Sequence, residues 1–150
     1  MIKILKNGFT LIELLVVISL IGILASLALV SFTSTQKQAR DTKRKSDLRQ
    51  YQTSLENFSN NNNYLYPSKA TTTDISSMCD AIGITGECPI DPKSDLYIYS
   101  YITNGTGVGN TATDYVLWAT MESSGGYFIV CSTGKVGQLT TAPSSFSCPI

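Results

Sequence analysis

The hydrophobic pattern of the chain is dominated by one uninterrupted apolar segment near its start. Residues 9–32 number 24 and include a single charged side chain, Glu13. A helix rises about 1.5 Å per residue, so this segment is long enough to cross the roughly 30 Å hydrocarbon core of a bilayer. The pattern therefore predicts one membrane-spanning helix over residues 9–32.

Beyond residue 32 the apolar pattern becomes periodic. The apolar positions that repeat here are Leu48, Tyr51, Leu55 and Phe58. Their spacings of three, four and three residues place them on one face of a helix that packs against a domain. No proline occurs before Pro67, and Asn fills four of the five positions 59–63, a composition that ends helices. We expect one helix from Phe9 to about Phe58.

The second half of the chain has the composition of turns and short strands. Residues 64–92 are rich in turn formers and predict a connecting loop, with a short helix over 74–82 led by Asp74 as its N-cap. The β-prone runs that follow are residues 96–102, 115–121, 127–132 and 135–139. Three or four antiparallel strands laid over residues 48–58 would bury one sheet face on the helix. The expected fold class is α+β: a long N-terminal helix packed against a small antiparallel β-sheet head, shaped like a lollipop.

The charges cancel overall but are unevenly distributed. The chain has 11 Lys plus Arg and 11 Asp plus Glu, yet residues 36–50 hold six bases against two acids, and residues 51–150 hold three bases against eight acids. We expect the basic stretch to be a solvated helix face beside the membrane, and contact with lipid head groups or a neighbouring head is the alternative. The i,i+4 ion pairs expected there are Asp41 with Lys45 and Lys43 with Asp47.

Glu13 is the anomaly of the apolar segment. An acidic side chain at the centre of a membrane helix costs about 2.5 to 3.5 kcal/mol on insertion scales, and less nearer the end, so this carboxylate requires a cation. A cut between Gly8 and Phe9 would place a new ammonium four residues before Glu13. In an assembly, Glu13 of one subunit could then pair with the terminus of a neighbour.

Residues 6–25, KNGFTLIELLVVISLIGILA, resemble the class III signal peptide and N-terminal helix of type IV pilins and type II secretion pseudopilins. In that family a prepilin peptidase removes a short basic leader after its final Gly and methylates the new amine. The resemblance implies that residues 1–8 are the leader, with Lys3 and Lys6 as its bases, and that the cut follows Gly8.

The resemblance also implies what the mature chain does. Phe9 would carry the methylated terminus, and Glu13 would stand at the fifth mature position, where the family needs a Glu for assembly. The protein would be a structural subunit of a type IV pilus-like filament, a helical homopolymer built through the segment 9–32, with residues 33–150 as the globular head. Its partners would be the prepilin peptidase, a pilus or secretion assembly platform, and membrane lipid before assembly.

Other functions and other N-terminal signals compete with this interpretation. Within the family the alternative is a major-type pseudopilin of a type II secretion system, and outside it a membrane-tethered binding module that does not polymerise. An ordinary secretory signal would have a shorter, uncharged core, although Ser26 and Ala28 mimic its small-residue cut site. A plain membrane anchor gives no reason for Glu13.

The orientation expected is a single pass through the cytoplasmic membrane, with the head outside. The positive-inside rule alone favours the reverse, because more bases follow the apolar segment than precede it. Two observations outweigh it: the leader faces the cytoplasm in the family, and four cysteines in the head suit an oxidising exterior. Assembly would then give an extracellular or periplasmic filament.

The four cysteines predict two disulfides out of three possible connectivities. We favour Cys79 with Cys88 and Cys131 with Cys148, because both pairs close short, turn-rich loops and a small core gains a few kcal/mol per bridge. The second loop resembles the C-terminal disulfide loop of many pilins. A zinc site is disfavoured because the chain has neither His nor C-x-x-C spacing.

The sequence contains no recognisable catalytic constellation. It has no His, no P-loop and no Gly-rich nucleotide fingerprint, so we expect no enzymatic activity and no cofactor, and we assign no nucleic acid partner. Some pseudopilins hold calcium in a loop of the head, but the acids here cannot be matched to such a loop, so we expect no bound metal. The acids expected to be solvated surface groups are Asp91, Asp95, Asp114 and Glu122.

Overall fold

The computed structural model describes residues 8–150, except for the side chains of residues 28–31. The predicted leader, including Lys3 and Lys6, therefore lies outside the described residues apart from Gly8. The chain divides into two compact units, Met1–Gln36 and Lys37–Ile150, and helix α1, Leu11–Asn61, contributes to both.

The second half of α1 carries the predicted apolar stripe. Leu48, Tyr51 and Leu55 are fully buried, and Phe58 is half-buried against the same core, which confirms the stripe. The helix ends at Asn61 rather than near Phe58.

The asparagine-rich run ends α1 about one turn later than expected, because its side chains first cap the helix. The amide nitrogens of Asn61 and Asn62 donate to the carbonyls of Asn57 and Phe58 at 3.1 and 2.9 Å. These bonds bring side-chain donors to the carbonyls of the last helical turns. The chain then turns through Asn63, whose φ of 56° is tolerated by Asn better than by most residues.

The strands of the Lys37–Ile150 unit form two antiparallel sheets. The strands are β1 (Tyr66–Pro67), β2 (Thr73–Asp74), β3 (Ser100–Thr103), β4 (Asn110–Ala112), β5 (Tyr115–Thr120), β6 (Tyr127–Cys131) and β7 (Val136–Leu139). Five of them form one sheet in the order β2-β3-β5-β6-β7, and β1 pairs with β4. A long helix packed on antiparallel sheets confirms the α+β class.

Three strand predictions were close and one was too long. Strands β5, β6 and β7 lie within the predicted runs, whereas the run 96–102 becomes strand only from Ser100 onward. The predicted loop 64–92 contains β1 and β2, which sequence reasoning missed together with β4. These strands are two or three residues long, too short to show a period of two.

The helix predicted over 74–82 is a single 3-10 turn, Ile75–Met78. Asp74 is its N-cap as expected, since its carboxylate accepts a hydrogen bond from the N–H of Ser76 at 3.0 Å.

Both faces of the five-stranded sheet are covered. One face packs on the α1 stripe, with Tyr101, Leu117 and Val130 in its core. The other face carries a second cluster around Trp118 and Ile129, against which the C-terminal segment packs. The sequence had predicted only the first of these two layers.

Candidate assembly site

The site residues predicted in the Met1–Gln36 unit lie where α1 begins. Gly8 and Phe9 precede the helix, and Phe9 is 92% exposed. The N–H and hydroxyl of Thr10 both donate to Oε2 of Glu13, at 2.8 and 2.7 Å, and the N–H of Glu13 reaches the Thr10 hydroxyl at 3.3 Å. This reciprocal arrangement is a capping box, which explains why the helix starts at Leu11 rather than at Phe9.

The capping box leaves part of the Glu13 carboxylate available. Both bonds from Thr10 go to Oε2, and among the described residues Oε1 of Glu13 accepts no hydrogen bond. An ionised carboxylate has about four acceptor sites, so Glu13 can still accept from a cationic donor. A terminal ammonium is chemically suited to that position.

The rest of this part of α1 presents large apolar side chains in every direction. Those on the helix up to Leu27 are all exposed, from 48% for Val16 to 83% for Leu11. The helix is long and apolar enough to cross a membrane. A surface of this kind marks a membrane or protein contact, and it fits a membrane-anchored protein.

The Lys37–Ile150 unit contains a polar site that sequence reasoning missed. Arg44 is fully buried on α1, and its guanidinium contacts three carboxylates. It donates to both oxygens of Asp91 at 2.7 and 2.8 Å and to Asp41 at 2.9 Å, and it forms an ion pair with Glu122 at 2.8 Å. We call Arg44 and these three acids the Arg44 cluster.

Neighbouring groups complete the Arg44 cluster. Arg40 donates to both oxygens of Glu122, at 2.8 and 2.7 Å, and the ammonium of Lys93 lies 3.0 Å from the same carboxylate. Asp41 accepts from the N–H groups of Glu122 and Ser123 at 2.9 and 2.8 Å. Together these bonds tie α1 to the loop before β3 and to the β5–β6 turn.

The pKa shifts of Arg44 and Glu122 favour the charged forms of both side chains. Burial lowers the pKa of Arg44, but hydrogen bonds to Asp91, Glu122 and Asp41 outweigh burial and raise it. The hydrogen bonds from Arg40 hold the pKa of Glu122 well below its ordinary value, reinforced by Lys93 and Arg44 and opposed by burial. Arg44 and Glu122 therefore stay ionised at neutral pH.

The Arg44 cluster overturns three expectations about charge. The basic stretch is not solvated throughout, because Arg44 is buried, and two of the acids expected at the surface, Asp91 and Glu122, are buried or nearly so. The predicted i,i+4 pairs form no salt bridge among the described residues: Asp41 pairs with Arg44, and Asp47 accepts a hydrogen bond from Tyr99 at 2.6 Å. Burial raises the pKa of the Asp47 carboxyl and outweighs the charge of Lys43, which still favours the ionised form. Helix spacing alone could not choose between a local partner and a distant loop.

The four cysteines of the Lys37–Ile150 unit form two disulfides. The structure joins Cys79 to Cys88 across nine positions and Cys131 to Cys148 across 17. The first bond closes the loop before β3, and the second fastens the C-terminal segment to β6. Among the described residues no group of three or more His, Cys, Asp or Glu side chains is arranged to hold a metal ion.

Comparison with known proteins identifies the N-terminal segment and the family. Residues 5–29 match the model of the prokaryotic N-terminal methylation motif. The chain is 31% identical over 111 residues to the type II secretion system core protein G of Pseudomonas aeruginosa, a match that spans 67% of this chain and 76% of that protein. No solved structure matches. The methylation motif and this relative together show that the chain belongs to the type IV pilin and type II secretion pseudopilin family.

Proposed function

We propose that the protein is the structural subunit of a type IV pilus-like filament, cut after Gly8, N-methylated on Phe9 and polymerised through its N-terminal helix. Before assembly it would stand in the cytoplasmic membrane with residues 33–150 outside. Its partners would be the prepilin peptidase, an assembly platform, membrane lipid and further copies of itself.

One observation carries this proposal: the apolar side chains of α1 up to Leu27 have no cover, whereas residues 37–150 enclose a core of their own. Lipid can cover such a helix in a membrane. After assembly, the same helix of neighbouring copies can cover this apolar surface equally well. The family match to residues 5–29 favours such helix packing in a filament.

Two opposite charges at the start of the N-terminal helix would provide a specific contact between subunits. An ammonium on Phe9 and the carboxylate of Glu13 are both costly in hydrocarbon, and each is the natural partner of the other. Thr10 already occupies Oε2 of Glu13, so the open Oε1 is the position for the terminus of a neighbouring subunit. Pairing between subunits would compensate both charges at once. In the isolated subunit Thr10 only donates hydrogen bonds to Glu13 and compensates neither charge.

The first test is the intact mass of the protein purified from membranes. We expect loss of residues 1–8 and one added methyl group. Gly8→Asp should leave the chain uncut, because the peptidase would meet a charged side chain where glycine has only a hydrogen atom. The neighbouring Asn7→Ala variant should be cut normally. An uncut parent chain, or a cut near Ala28, would refute the processing step.

The second test separates assembly from insertion. Glu13→Gln should insert and be cut as the parent is, because it removes a charge from the bilayer and leaves the cut site intact. Filament yield, measured by shearing and electron microscopy, should fall at least tenfold. Ser19→Ala, a change on the same helix, is the matched control and should assemble normally. Normal filament yield from Glu13→Gln would contradict the charge-pairing step.

A major pseudopilin of a type II secretion system is the second candidate, favoured by the 31% identity to a core protein of such a system. Deletion of the gene would distinguish the two. Loss of surface fibres with normal protein export supports the pilus subunit, whereas loss of export with no surface fibre in the parent supports the pseudopilin. A processed protein found only as membrane-bound monomers would indicate a tethered binding module instead.

A further inference from the structure

A groove of about 380 Å³ lies beside the C-terminal end of α1, within the Lys37–Ile150 unit. Its helix wall consists of Ser54, Asn57, Phe58 and Asn61 of α1 with Asn62 directly after them, and its opposite wall is the loop of residues 80–83. None of these residues belongs to the Arg44 cluster or to the candidate assembly site.

The loop wall of this groove is held in place by covalent and backbone bonds. The Cys79–Cys88 disulfide closes the segment that contains it. The N–H of Ile82 donates to the Met78 carbonyl at 3.1 Å, and the N–H of Ile84 donates to the Cys79 carbonyl at 2.9 Å. The groove is therefore formed before any ligand arrives, which lowers the entropic cost of binding.

The amide side chains on the helix wall are only partly engaged. Asn62 is used twice, since it donates to the Phe58 carbonyl and accepts from Asn110 at 3.0 Å. Asn61 donates to the Asn57 carbonyl and keeps its oxygen open. The exposed amide of Asn57 has no hydrogen bond to any other described residue. The groove thus offers one complete amide and one further amide oxygen to a ligand.

An apolar floor completes the groove. Phe58 is half-buried, packs against the core and lines the groove, and Ile82 of the loop wall is buried. The ring and the free amides are therefore presented to the same space.

The chemistry of the lining selects a class of ligand. An Asn amide both donates and accepts, as a hydroxyl group does, so adjacent amides match adjacent hydroxyls. The lining contains no Lys or Arg, the side chains that bind phosphate and sulfate groups, and its only charged side chain is Asp80. A ligand with several hydroxyls, one apolar face and no negative charge fits all three features.

We propose that this groove binds a neutral saccharide unit, with Asn57 and Asn61 bonded to its hydroxyls and the ring of Phe58 against its apolar face. The site is open and has few polar partners, so the dissociation constant is on the order of 1 mM for a single unit. This binding adds to the proposed filament function and does not depend on it.

The test uses the full-length protein in a detergent without a sugar head group, because a maltoside or glucoside would compete for the groove. Neutral oligosaccharides of glucose, galactose, mannose and N-acetylglucosamine are titrated and followed by ligand-observed NMR, with heparin as the polyanionic comparison. We expect saturable binding of at least one neutral oligosaccharide and none of heparin. Absence of binding by every neutral oligosaccharide overturns the proposal, and so does a preference for heparin.

Matched variants locate the binding. Asn57→Leu removes the free amide from an exposed helix position and should weaken binding about 3- to 10-fold, as expected for one lost hydrogen bond. Asn60→Leu is the control, because Asn60 is also an exposed asparagine of α1 but does not line the groove, and it should bind as the parent does. Equal affinities of both variants and the parent overturn the proposal. A large loss in Asp80→Asn without loss in Asn57→Leu would show a cation site and overturn it too.

Discussion

Replacement of Arg44 by Met tests how the Arg44 cluster holds the Lys37–Ile150 unit together. Met keeps the length and much of the volume of the side chain but removes four charged contacts of 2.7 to 2.9 Å. The three carboxylates do not lose the same share of their bonding partners. Glu122 keeps Arg40 and Lys93, and Asp41 keeps the N–H groups of the β5–β6 turn.

Asp91 loses most. Its side chain is fully buried, and after the change the N–H of Lys93, at 2.8 Å, is the only hydrogen-bond donor left to it among the described residues. Removing one partner of a buried ion pair costs about 3 to 5 kcal/mol, because an uncompensated charge is left behind. We therefore expect Arg44→Met to lower the free energy of unfolding by that amount, against about 5 to 15 kcal/mol for a typical domain.

The double variant Arg44→Met with Asp91→Leu identifies the cause. If the cost is the orphaned charge of Asp91, removing that charge should restore about 2 to 3 kcal/mol, a coupling typical of contacting residues. Replacement of a buried ion pair by apolar groups of similar size is often close to neutral. The double variant should therefore be more stable than Arg44→Met alone.

Unfolding can be followed through Trp118, the only tryptophan of the chain, which is 4% exposed in the second core cluster. Urea titrations of the mature protein in detergent would give the unfolding free energies from its fluorescence. Lys43→Met is the matched control, since Lys43 is exposed next to Arg44 and should change stability by about 0.5 kcal/mol or less. A loss below about 1 kcal/mol in Arg44→Met, or no recovery in the double variant, would refute this account.

Three further outcomes follow from the structure. Because Arg40 holds the pKa of Glu122 below its ordinary value of 4.5, the stability contributed by Glu122 should be complete at neutral pH and decline as the pH falls below about 4.5; acid titration of Glu122→Gln should show a shallower decline. Non-reducing peptide mapping should recover the two disulfides described above, and crossed pairs would contradict them. Deletion of residues 9–32 should give a soluble monomer by size-exclusion chromatography, and aggregation would count against a self-contained core in residues 37–150.

Periodicity predicted the parts of the fold that depend on apolar burial. Leu48, Tyr51 and Leu55 repeat over a long helix, so the buried face could be read directly from their spacing, and the structure buries all three completely. The longer strands β5 and β6 were found for the same reason, since five or six residues suffice to show their composition. Strand β1, two residues long, offers no such pattern.

Arg44 shows what periodicity misses when a polar residue is buried. It precedes Leu48 by four residues and so continues the buried stripe one turn toward the N-terminus. That spacing was a usable signal, but a charged side chain at such a position is more often solvated. Its partners Asp91 and Glu122 are 47 and 78 positions away in the sequence, so only the folded chain reveals that burial is compensated.

The side chains of the two units find their partners in different ways, and this difference predicts which property a variant in each unit will change. Within the described residues every buried side-chain nitrogen or oxygen has a hydrogen-bond partner, including Arg44 and the hydroxyl of Tyr101, which donates to the Pro67 carbonyl at 2.9 Å. Residues 37–150 thus meet their own requirements, and changes there should alter stability first. The apolar side chains of the N-terminal helix are exposed, and Oε1 of Glu13 accepts no hydrogen bond from a described residue. Lipid or the helix of another copy would have to supply partners for these groups. Changes at those positions should therefore alter assembly while the fold of residues 37–150 stays intact.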